Sequence, residues 1–154
     1  YQVNVNWSKD RTGIMCSPEL NTSEEDNCIA VATPPQFPKG VPGIWSPEHL
    51  LVASLNSCYL LTLIAIAESS KVALVSCSSK AKGKLEKLPG TGYQISEITV
   101  KPKVVLASAR DLSRMPRILE KAKDNCFISN SIKSTIKIEP EVFHHQTQTS
   151  PCPL

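Results

Sequence analysis

The sequence has few aromatic residues, no clustered basic segment and no hydrophobic run of membrane-spanning length. Aromatic side chains make up 5% of the 154 residues, and the net charge is only +3. A nucleic-acid interface usually needs a basic patch and often a row of stacking aromatics, so nucleic acid is a poor candidate partner. The longest apolar run extends only from Cys58 to Ala67, well short of the roughly 20 residues that span a bilayer. We therefore expect neither a nucleic-acid partner nor a membrane partner.

Cysteine is present but too sparse for a disulfide scaffold. The chain has 6 cysteines, whereas disulfide-dense domains usually exceed about 8–10% cysteine in a shorter chain. None belongs to a C-x-x-C pair, so a zinc ribbon or a thioredoxin-type motif is not expected. Cys16, Cys28 and Cys77 lie in strand-like segments and are expected to be free thiols, and Cys152 lies in a proline-rich tail. This cysteine usage favours a reducing cytoplasm and predicts no metal site.

Hydrophobic periodicity predicts three strands, a helix, two strands, a second helix and a last strand. Val3, Val5 and Trp7 alternate with polar residues, which is typical of a half-buried strand. Residues 33–47 are rich in proline and predict an ordered loop without regular structure. The pattern as a whole predicts an α+β fold with a mostly antiparallel sheet. Its length predicts one domain over residues 1–143, followed by a polar tail over residues 144–154.

The first helix has a clear start and an unusual composition. Ser46 is a favourable N-cap, and Pro47 fits the first helical position because its missing N–H would be unpaired there in any case. No charged residue occurs from Leu50 to Ala67. A helix that is apolar on all sides must be surrounded by protein, so we expect a long, buried central helix.

The second helix is predicted from an apolar stripe that ends just before a cysteine. Proline is tolerated only in a first helical turn, so Pro116 makes Ser113 the expected N-cap. Asn125 is the expected end of the helix, directly before Cys126. The residues of the stripe are Met115, Ile118, Leu119 and Ala122.

Cys58 lies in the middle of the first helix, where its local sequence leaves two interpretations open. A buried cysteine commonly serves as a small hydrophobic residue. Apolar surroundings raise a thiol pKa, and a position in mid-helix gains nothing from the helix dipole. No lysine or arginine lies between Lys39 and Lys71. If Cys58 is reactive, its activating cation must come from a distant segment.

Two segments of the chain resemble motifs of one family. The segment from Ser46 to Tyr59, which contains Pro-Glu-His-Leu and Cys58, resembles the Pro-Glu-x-Leu helix of the OsmC/Ohr family of osmotically inducible and organic hydroperoxide resistance proteins. The segment from Lys123 to Asn130 resembles the second cysteine motif of that family, with Phe127 where many members have proline. The proline-rich loop is similar to a third, less characterised branch.

The resemblance implies thiol-dependent reduction of peroxides, with a preference for organic hydroperoxides. It makes Cys58 the peroxidatic thiol and Cys126 the resolving thiol, which form an intramolecular disulfide. It implies no bound cofactor, and an external thiol or dithiol as reductant, such as a lipoylated protein. In the family a glutamate holds an arginine that activates the thiolate. Glu48 matches that glutamate. Arg11 in the first hairpin is our candidate for the arginine, and Lys39 is the alternative cation.

The proline-rich loop supplies a candidate substrate pocket. Its apolar side chains could line an entrance suited to an alkyl hydroperoxide, although they could equally pack on the core. They are Phe37, Ile44 and Trp45. The alternative function is a non-enzymatic protein of the same fold that binds a small apolar ligand while Cys58 stays inert.

The spacing of Glu48 and Cys58 predicts an active site shared by two subunits. At 1.5 Å per residue their Cα atoms lie roughly 15 Å apart along the helix axis. A glutamate cannot support an arginine–thiolate contact across that gap within its own helix. Two copies of the uncharged helix packed side by side would remove the difficulty, so we expect an intertwined homodimer.

Overall fold

The computed structural model describes residues 1–20 and 27–145, in two compact units, Tyr1–Leu51 and Val52–Leu154. The loop expected around residues 21–27 lies, apart from Asn27, outside the described residues, as does Cys152. Two short 3₁₀ helices cover Ala109–Arg114 and Ser129–Ser131. The main elements are β1 (Asn4–Lys9), β2 (Thr12–Cys16), β3 (Cys28–Ala32), α1 (Pro47–Ser69), β4 (Leu74–Leu88), β5 (Gly92–Leu106), α2 (Met115–Asp124), β6 (Thr135–Ile138) and β7 (Glu141–His144).

The observed order confirms the predicted α+β class, with one added strand at the end. The first unit holds an antiparallel sheet in the order β1-β2-β3. All six residues of β1 are exposed in the single chain, including Trp7 at 78%. The prediction of a half-buried first strand is therefore wrong within one chain.

A disulfide joins Cys16 of β2 to Cys28 of β3, with 4.2 Å between the Cα atoms. The two residues are direct partners in the antiparallel register, which brings their side chains to the same face at short range. The expectation that both are free thiols is therefore wrong. Cys77 on β4 is a free thiol, as expected.

The proline-rich loop is ordered by its own backbone, as predicted. Phe37 and Val41 donate backbone hydrogen bonds to the carbonyl oxygens of Pro34 and Thr33. A Cβ at Gly40 would lie 2.1 Å from the Pro34 carbonyl oxygen. The loop can close this tightly only with glycine at that position.

The second unit is built on a long hairpin of β4 and β5. Strand β5 also pairs in parallel with β6 and then with β7. The second of these short strands had not been predicted. It ends at His144, and the His145 N–H donates to the Leu106 carbonyl oxygen, so this pair of histidines belongs to the sheet edge. The division into one domain and a tail after residue 143 stays a prediction.

Helix α1 buries one stripe within the second unit. Leu55, Tyr59 and Leu63 on this stripe pack against β5 and α2, and the Tyr59 hydroxyl donates to the Leu119 carbonyl oxygen at 3.3 Å. Much of the rest of the helix is exposed or half-buried, including Leu61 at 66% exposure. Burial on all sides is therefore not found in the single chain.

By length and composition alone, helix α1 is long and apolar enough to cross a membrane. Its most apolar window has a mean hydropathy of 2.0. A core helix of a soluble protein has the same composition, and the stripe on α1 packs on a sheet as such a helix does. The absence of a membrane partner stays a prediction.

Helix α2 has the predicted stripe and end but a different start. The four predicted stripe residues are buried, and Asn125 is the C-cap. The helix begins at Met115, because the 3₁₀ helix Ala109–Arg114 runs directly into it. Arg114 occupies the N-cap position without a side-chain cap, so Ser113 as N-cap is wrong.

Candidate active site

Cys58 and Cys126 are brought into contact in the second unit. Cys58 is half-buried at the edge of the packed stripe of α1. Cys126 follows the C-cap of α2 and is completely buried. A hydrogen bond connects the two side chains, and both are free thiols. Two thiols in contact, one of them partly open to solvent, form a pair that can cycle between dithiol and disulfide.

The surroundings of Cys58 favour its thiolate. Burial raises its pKa, but four hydrogen bonds together outweigh burial and lower the pKa below the usual thiol value. The donors, in order of effect, are the backbone N–H of Ile128, the thiol of Cys126, the backbone N–H of Phe127 and the hydroxyl of Thr62. Thr62 is positioned by the helix itself, since residues four apart lie on one face.

The pKa of Cys126 is shifted in the opposite direction. Burial is the largest effect and raises its pKa, and the neighbouring Cys58 raises it further. The Ser129 N–H donates to the Cys126 sulfur at 3.5 Å, which lowers the pKa without reversing the outcome. Of the two thiols, Cys58 therefore has the lower pKa and is the one that loses its proton first.

The contacts that lower the Cys58 pKa are all neutral groups. The sequence argument, by contrast, required a cation from a distant segment. Backbone N–H groups have no side-chain signature, so nothing in the sequence at residues 127 and 128 could have revealed this role.

Arg11 lies in the first unit, between β1 and β2, with an exposed side chain. Its backbone carbonyl accepts a hydrogen bond from the Thr33 N–H at 3.1 Å. Arg11 also lines an open cavity of about 430 Å³ in this unit. The other residues around this cavity are Val5, Trp7, Asp10, Thr12, Gly13, Val31, Ala32, Thr33 and Pro47. This cavity combines a guanidinium group with apolar walls.

Glu48 also lies in the first unit, in the first turn of α1. Its Oε2 atom is buried and has no hydrogen-bond partner. Within the described part of the chain, no ion pair joins Glu48 to Arg11. An unpaired buried carboxylate oxygen is costly, so this atom calls for a donor that residues 1–20 and 27–145 do not provide.

His49 serves as a capping residue at the start of α1. The Ser46 and His49 side chains are hydrogen-bonded at 2.8 Å, and the His49 N–H donates to the Ser46 hydroxyl at 3.4 Å. Ser46 directly precedes Pro47, the first residue of α1, and the bond to its hydroxyl confirms it as the N-cap. The arrangement is a capping box in which histidine occupies the place usually taken by glutamate or glutamine.

The loop residues predicted to line a substrate pocket are not grouped around the cavity beside Arg11. Phe37 and Ile44 are half-buried, and Trp45 is exposed with its ring edge-to-face on His49, 6.2 Å between centroids. Their role as a substrate pocket stays a prediction. Within residues 1–20 and 27–145, no cluster of three or more His, Cys, Asp or Glu side chains could hold a metal ion.

Comparisons with known proteins place these features in a family context. The family model described as "OsmC-like protein" matches residues 40–141. The uncharacterized protein YmaD of Bacillus subtilis is 24% identical over 144 residues, which cover 92% of this chain and 91% of YmaD.

Solved structures show the same fold. An OsmC-like protein of unknown function from Vibrio cholerae superimposes with a TM-score of 0.77 at 22% identity, covering 90% of this chain and 97% of its own. An organic hydroperoxide resistance protein from Elizabethkingia anophelis gives a TM-score of 0.70 at 18% identity, with coverage of 94% and 97%.

Proposed function

The chain belongs to the OsmC-like protein family, and from that premise we propose that it is a thiol-dependent peroxidase acting on organic hydroperoxides. The observation that carries the proposal is the contact between Cys58 and Cys126, with the Cys58 pKa lowered and the Cys126 pKa raised. A peroxidatic thiol must be the better thiolate, and a resolving thiol must stay protonated until it is needed.

The proposed reaction has two steps. The Cys58 thiolate attacks the distal oxygen of the hydroperoxide; an S–O bond forms, the O–O bond breaks, and the leaving alkoxide takes up a proton to become an alcohol. Cys58 is then a sulfenic acid. The Cys126 thiol loses its proton, and the resulting thiolate attacks the sulfur of the Cys58 sulfenic acid. The S–O bond breaks, the oxygen takes up a proton and leaves as water, and a disulfide forms. An external dithiol, for which a lipoylated protein is our candidate, restores both thiols.

Arg11 and Glu48 complete the site in this proposal. A guanidinium beside the thiolate would lower its pKa further and stabilise the departing oxygen, and a carboxylate would hold that guanidinium by charge-assisted hydrogen bonds. The unpaired Oε2 atom of Glu48 supports the need for such a donor.

We further propose that the site is shared between the subunits of a homodimer. Glu48 is too far along α1 to support its own Cys58, and α1 has exposed apolar residues such as Leu61. Arg11 and Glu48 of one chain would then serve Cys58 and Cys126 of its partner.

Localisation in the cytoplasm is part of the same proposal and rests on the redox chemistry. Free Cys58 and Cys126 require a reductant to return after each turnover. The Cys16–Cys28 disulfide, in contrast, is of a kind more usual in an oxidising compartment.

A second candidate function is binding of a small apolar ligand without chemistry. The observation that favours it is the cavity in the first unit, which has the apolar walls Val5, Trp7 and Val31. A cavity of about 430 Å³ falls in the usual range for small-molecule sites.

Counting free thiols after peroxide treatment separates the two functions. The protein is incubated with one equivalent of cumene hydroperoxide, and we expect the loss of two thiols per chain. The Cys58→Ser variant should lose none in the same time, whereas Cys77→Ser, the matched control, should lose two. An unchanged thiol count in the wild-type protein, together with saturable uptake of cumyl alcohol, would favour the binding protein.

A further inference from the structure

The Cys16–Cys28 disulfide lies on the polar face of the first sheet. Direct cross-strand partners share a face, so Asn4 of β1 lies on the same face as Cys16 and its partner Cys28. The apolar side chains of Val5 and Trp7 point to the other face, because successive residues of a strand alternate. Both cysteines are only half-buried, and Asn4 is exposed. The disulfide is therefore open to solvent and does not belong to a hydrophobic core.

The disulfide also closes one end of the β2–β3 ladder. The two Cα atoms are 4.2 Å apart, the short spacing of antiparallel partners that exchange no backbone hydrogen bonds. At the next pair outward the Ser17 N–H donates to the Asn27 carbonyl oxygen at 3.4 Å, which is long for such a bond. The S–S bond is therefore the main link between β2 and β3 at this end.

A half-exposed disulfide is more easily reduced than a buried structural one. In a reducing compartment, moreover, disulfides are usually transient and serve catalysis or redox sensing. We propose that Cys16 and Cys28 form a second redox centre, which exchanges electrons with an external dithiol and whose oxidation state controls the order of the first sheet. The inference goes beyond the proposed peroxidase reaction, since it uses neither Cys58 nor Cys126.

Reduction of this centre takes two thiol–disulfide exchanges. A thiolate of the dithiol attacks one sulfur of the pair; the Cys16–Cys28 bond breaks, a mixed disulfide forms, and the other cysteine leaves as a thiolate that takes up a proton. The second thiol of the dithiol loses its proton and attacks the sulfur that the dithiol contributes to the mixed disulfide. The remaining cysteine leaves and is protonated, and the dithiol becomes a cyclic disulfide. Two electrons and two protons thus pass to Cys16 and Cys28, and the cyclic disulfide reverses both exchanges.

Reduction should loosen strands that also line the cavity beside Arg11. Gly13 and Val31 line that cavity and are cross-strand partners, three register pairs from the disulfide. Without the cross-link the strand ends regain conformational freedom, so the ladder opens more often from this end. The order of this wall of the cavity is then linked to the redox state of the centre.

A redox titration of the folded protein tests the exchange. The protein is equilibrated with mixtures of dihydrolipoamide and lipoamide, free thiols are alkylated, and the Cys16 and Cys28 peptides are quantified by mass spectrometry. Both should gain label together, with half-reduction below about a hundredfold excess of dihydrolipoamide, because structural disulfides resist such thiols. The Cys58→Ser/Cys126→Ser variant, the matched control, should give the same midpoint. A disulfide that persists beyond that excess, or a shifted midpoint in the control, would overturn the proposal.

Hydrogen exchange tests the control of the sheet. Peptides from β2 and β3 should exchange at least about tenfold faster in the reduced protein than in the oxidised protein, because local opening no longer works against the cross-link. Peptides from β4 and β5 should be unchanged. The Cys16→Ser/Cys28→Ser variant should show the faster exchange in both buffers. Equal exchange of β2 and β3 in the two redox states would overturn this part of the proposal. Neither experiment uses peroxide, so a failure of the peroxidase proposal would leave both results intact.

Discussion

The thiol of Cys126 donates a hydrogen bond to the sulfur of Cys58; this contact adds to the rise that burial causes in the pKa of Cys126, and it helps the backbone N–H of Ile128 to lower the pKa of Cys58. Each residue thereby reinforces the role of the other: the donor stays protonated, and the acceptor loses its proton first. The order of the proposed reaction, with attack by Cys58 and resolution by Cys126, is consistent with this asymmetry.

Substitution of Cys126 should separate activation of Cys58 from resolution. Cys126→Ala removes a donor, so the pKa of Cys58 should rise and its alkylation at neutral pH should slow. Cys126→Ser keeps an O–H donor and should retain most of the reactivity. After peroxide treatment, however, Cys58 in Cys126→Ser should stop at the sulfenic acid or oxidise further.

The expected pH dependence of Cys58 alkylation follows from the direction of its pKa shift. Because the folded pKa of Cys58 is lowered, its reactivity should persist below the pH at which an ordinary thiol loses it, and should decline as pH falls through the Cys58 midpoint. Dimedone labelling detects the sulfenic acid of Cys58, which reports on resolution by Cys126. Alkylation followed against pH gives the midpoint of Cys58, which reports on its activation. Equal midpoints in wild-type and Cys126→Ala would contradict the assigned hydrogen bond.

Arg11→Ala should reduce the peroxide rate and raise the pKa of Cys58, since a nearby guanidinium favours a thiolate. Glu48→Ala should do less, because the carboxylate orients the arginine and adds no positive charge. Arg117→Ala, a change to an exposed arginine on α2, is the matched control and should have no effect. An unchanged pH profile in Arg11→Ala would transfer the role to Lys39 or another cation.

Mixing two inactive variants tests the shared site. If Arg11 acts on the Cys58 of its partner, heterodimers of Arg11→Ala and Cys58→Ser should contain one intact site each. Under conditions of subunit exchange, each heterodimer should reach about half of the activity of a wild-type dimer, because one of its two sites is intact. A stable, fully active monomer would contradict this arrangement.

The Cys16–Cys28 disulfide should stabilise the first sheet. Closing a loop with a sequence separation of 12 is worth about 3 kcal/mol in the chain-entropy account. Urea denaturation of the double variant Cys16→Ser/Cys28→Ser should show a loss of that order. Adding dithiothreitol should destabilise the wild type by a similar amount and leave the stability of the double variant unchanged. If dithiothreitol also destabilised the double variant, its effect would not come from the Cys16–Cys28 disulfide.

Arg114 ties the start of α2 to the end of α1. It donates to the buried Asp111 carboxylate at 2.8 Å and to the Ser70 carbonyl oxygen. Arg114→Ala leaves a buried carboxylate without its main partner, which should cost about 1–3 kcal/mol of unfolding free energy. Arg117→Ala should cost almost nothing. Equal denaturation midpoints for the two variants would show that the Asp111–Arg114 pair does not contribute.

The sequence predicted the elements well where local signals agreed. Ser46 and Pro47 predicted the start of α1, and the two strands predicted between the helices are β4 and β5. The short strand β7 was missed because Pro140 interrupts the pattern between it and β6. The start of α2 was misplaced because a 3₁₀ helix leads into it without a capping side chain.

The site was harder to predict, for two physical reasons. The disulfide depends on the register that places Cys16 opposite Cys28, and register is a tertiary property that neither strand encodes alone. The activation of Cys58 depends on the main chain of Phe127 and Ile128, where the side chains give no indication of the role. The identity of the Cys58–Cys126 pair came from the family resemblance and not from the local sequence.

Disulfide mapping after peroxide treatment tests the central claim most directly. The protein is treated with one equivalent of cumene hydroperoxide, blocked with an alkylating reagent, digested without reduction and analysed by mass spectrometry. The account predicts a new peptide pair that joins Cys58 to Cys126, with Cys77 alkylated and the Cys16–Cys28 pair unchanged. A new pair that excludes Cys58, or full alkylation of both Cys58 and Cys126, would contradict it.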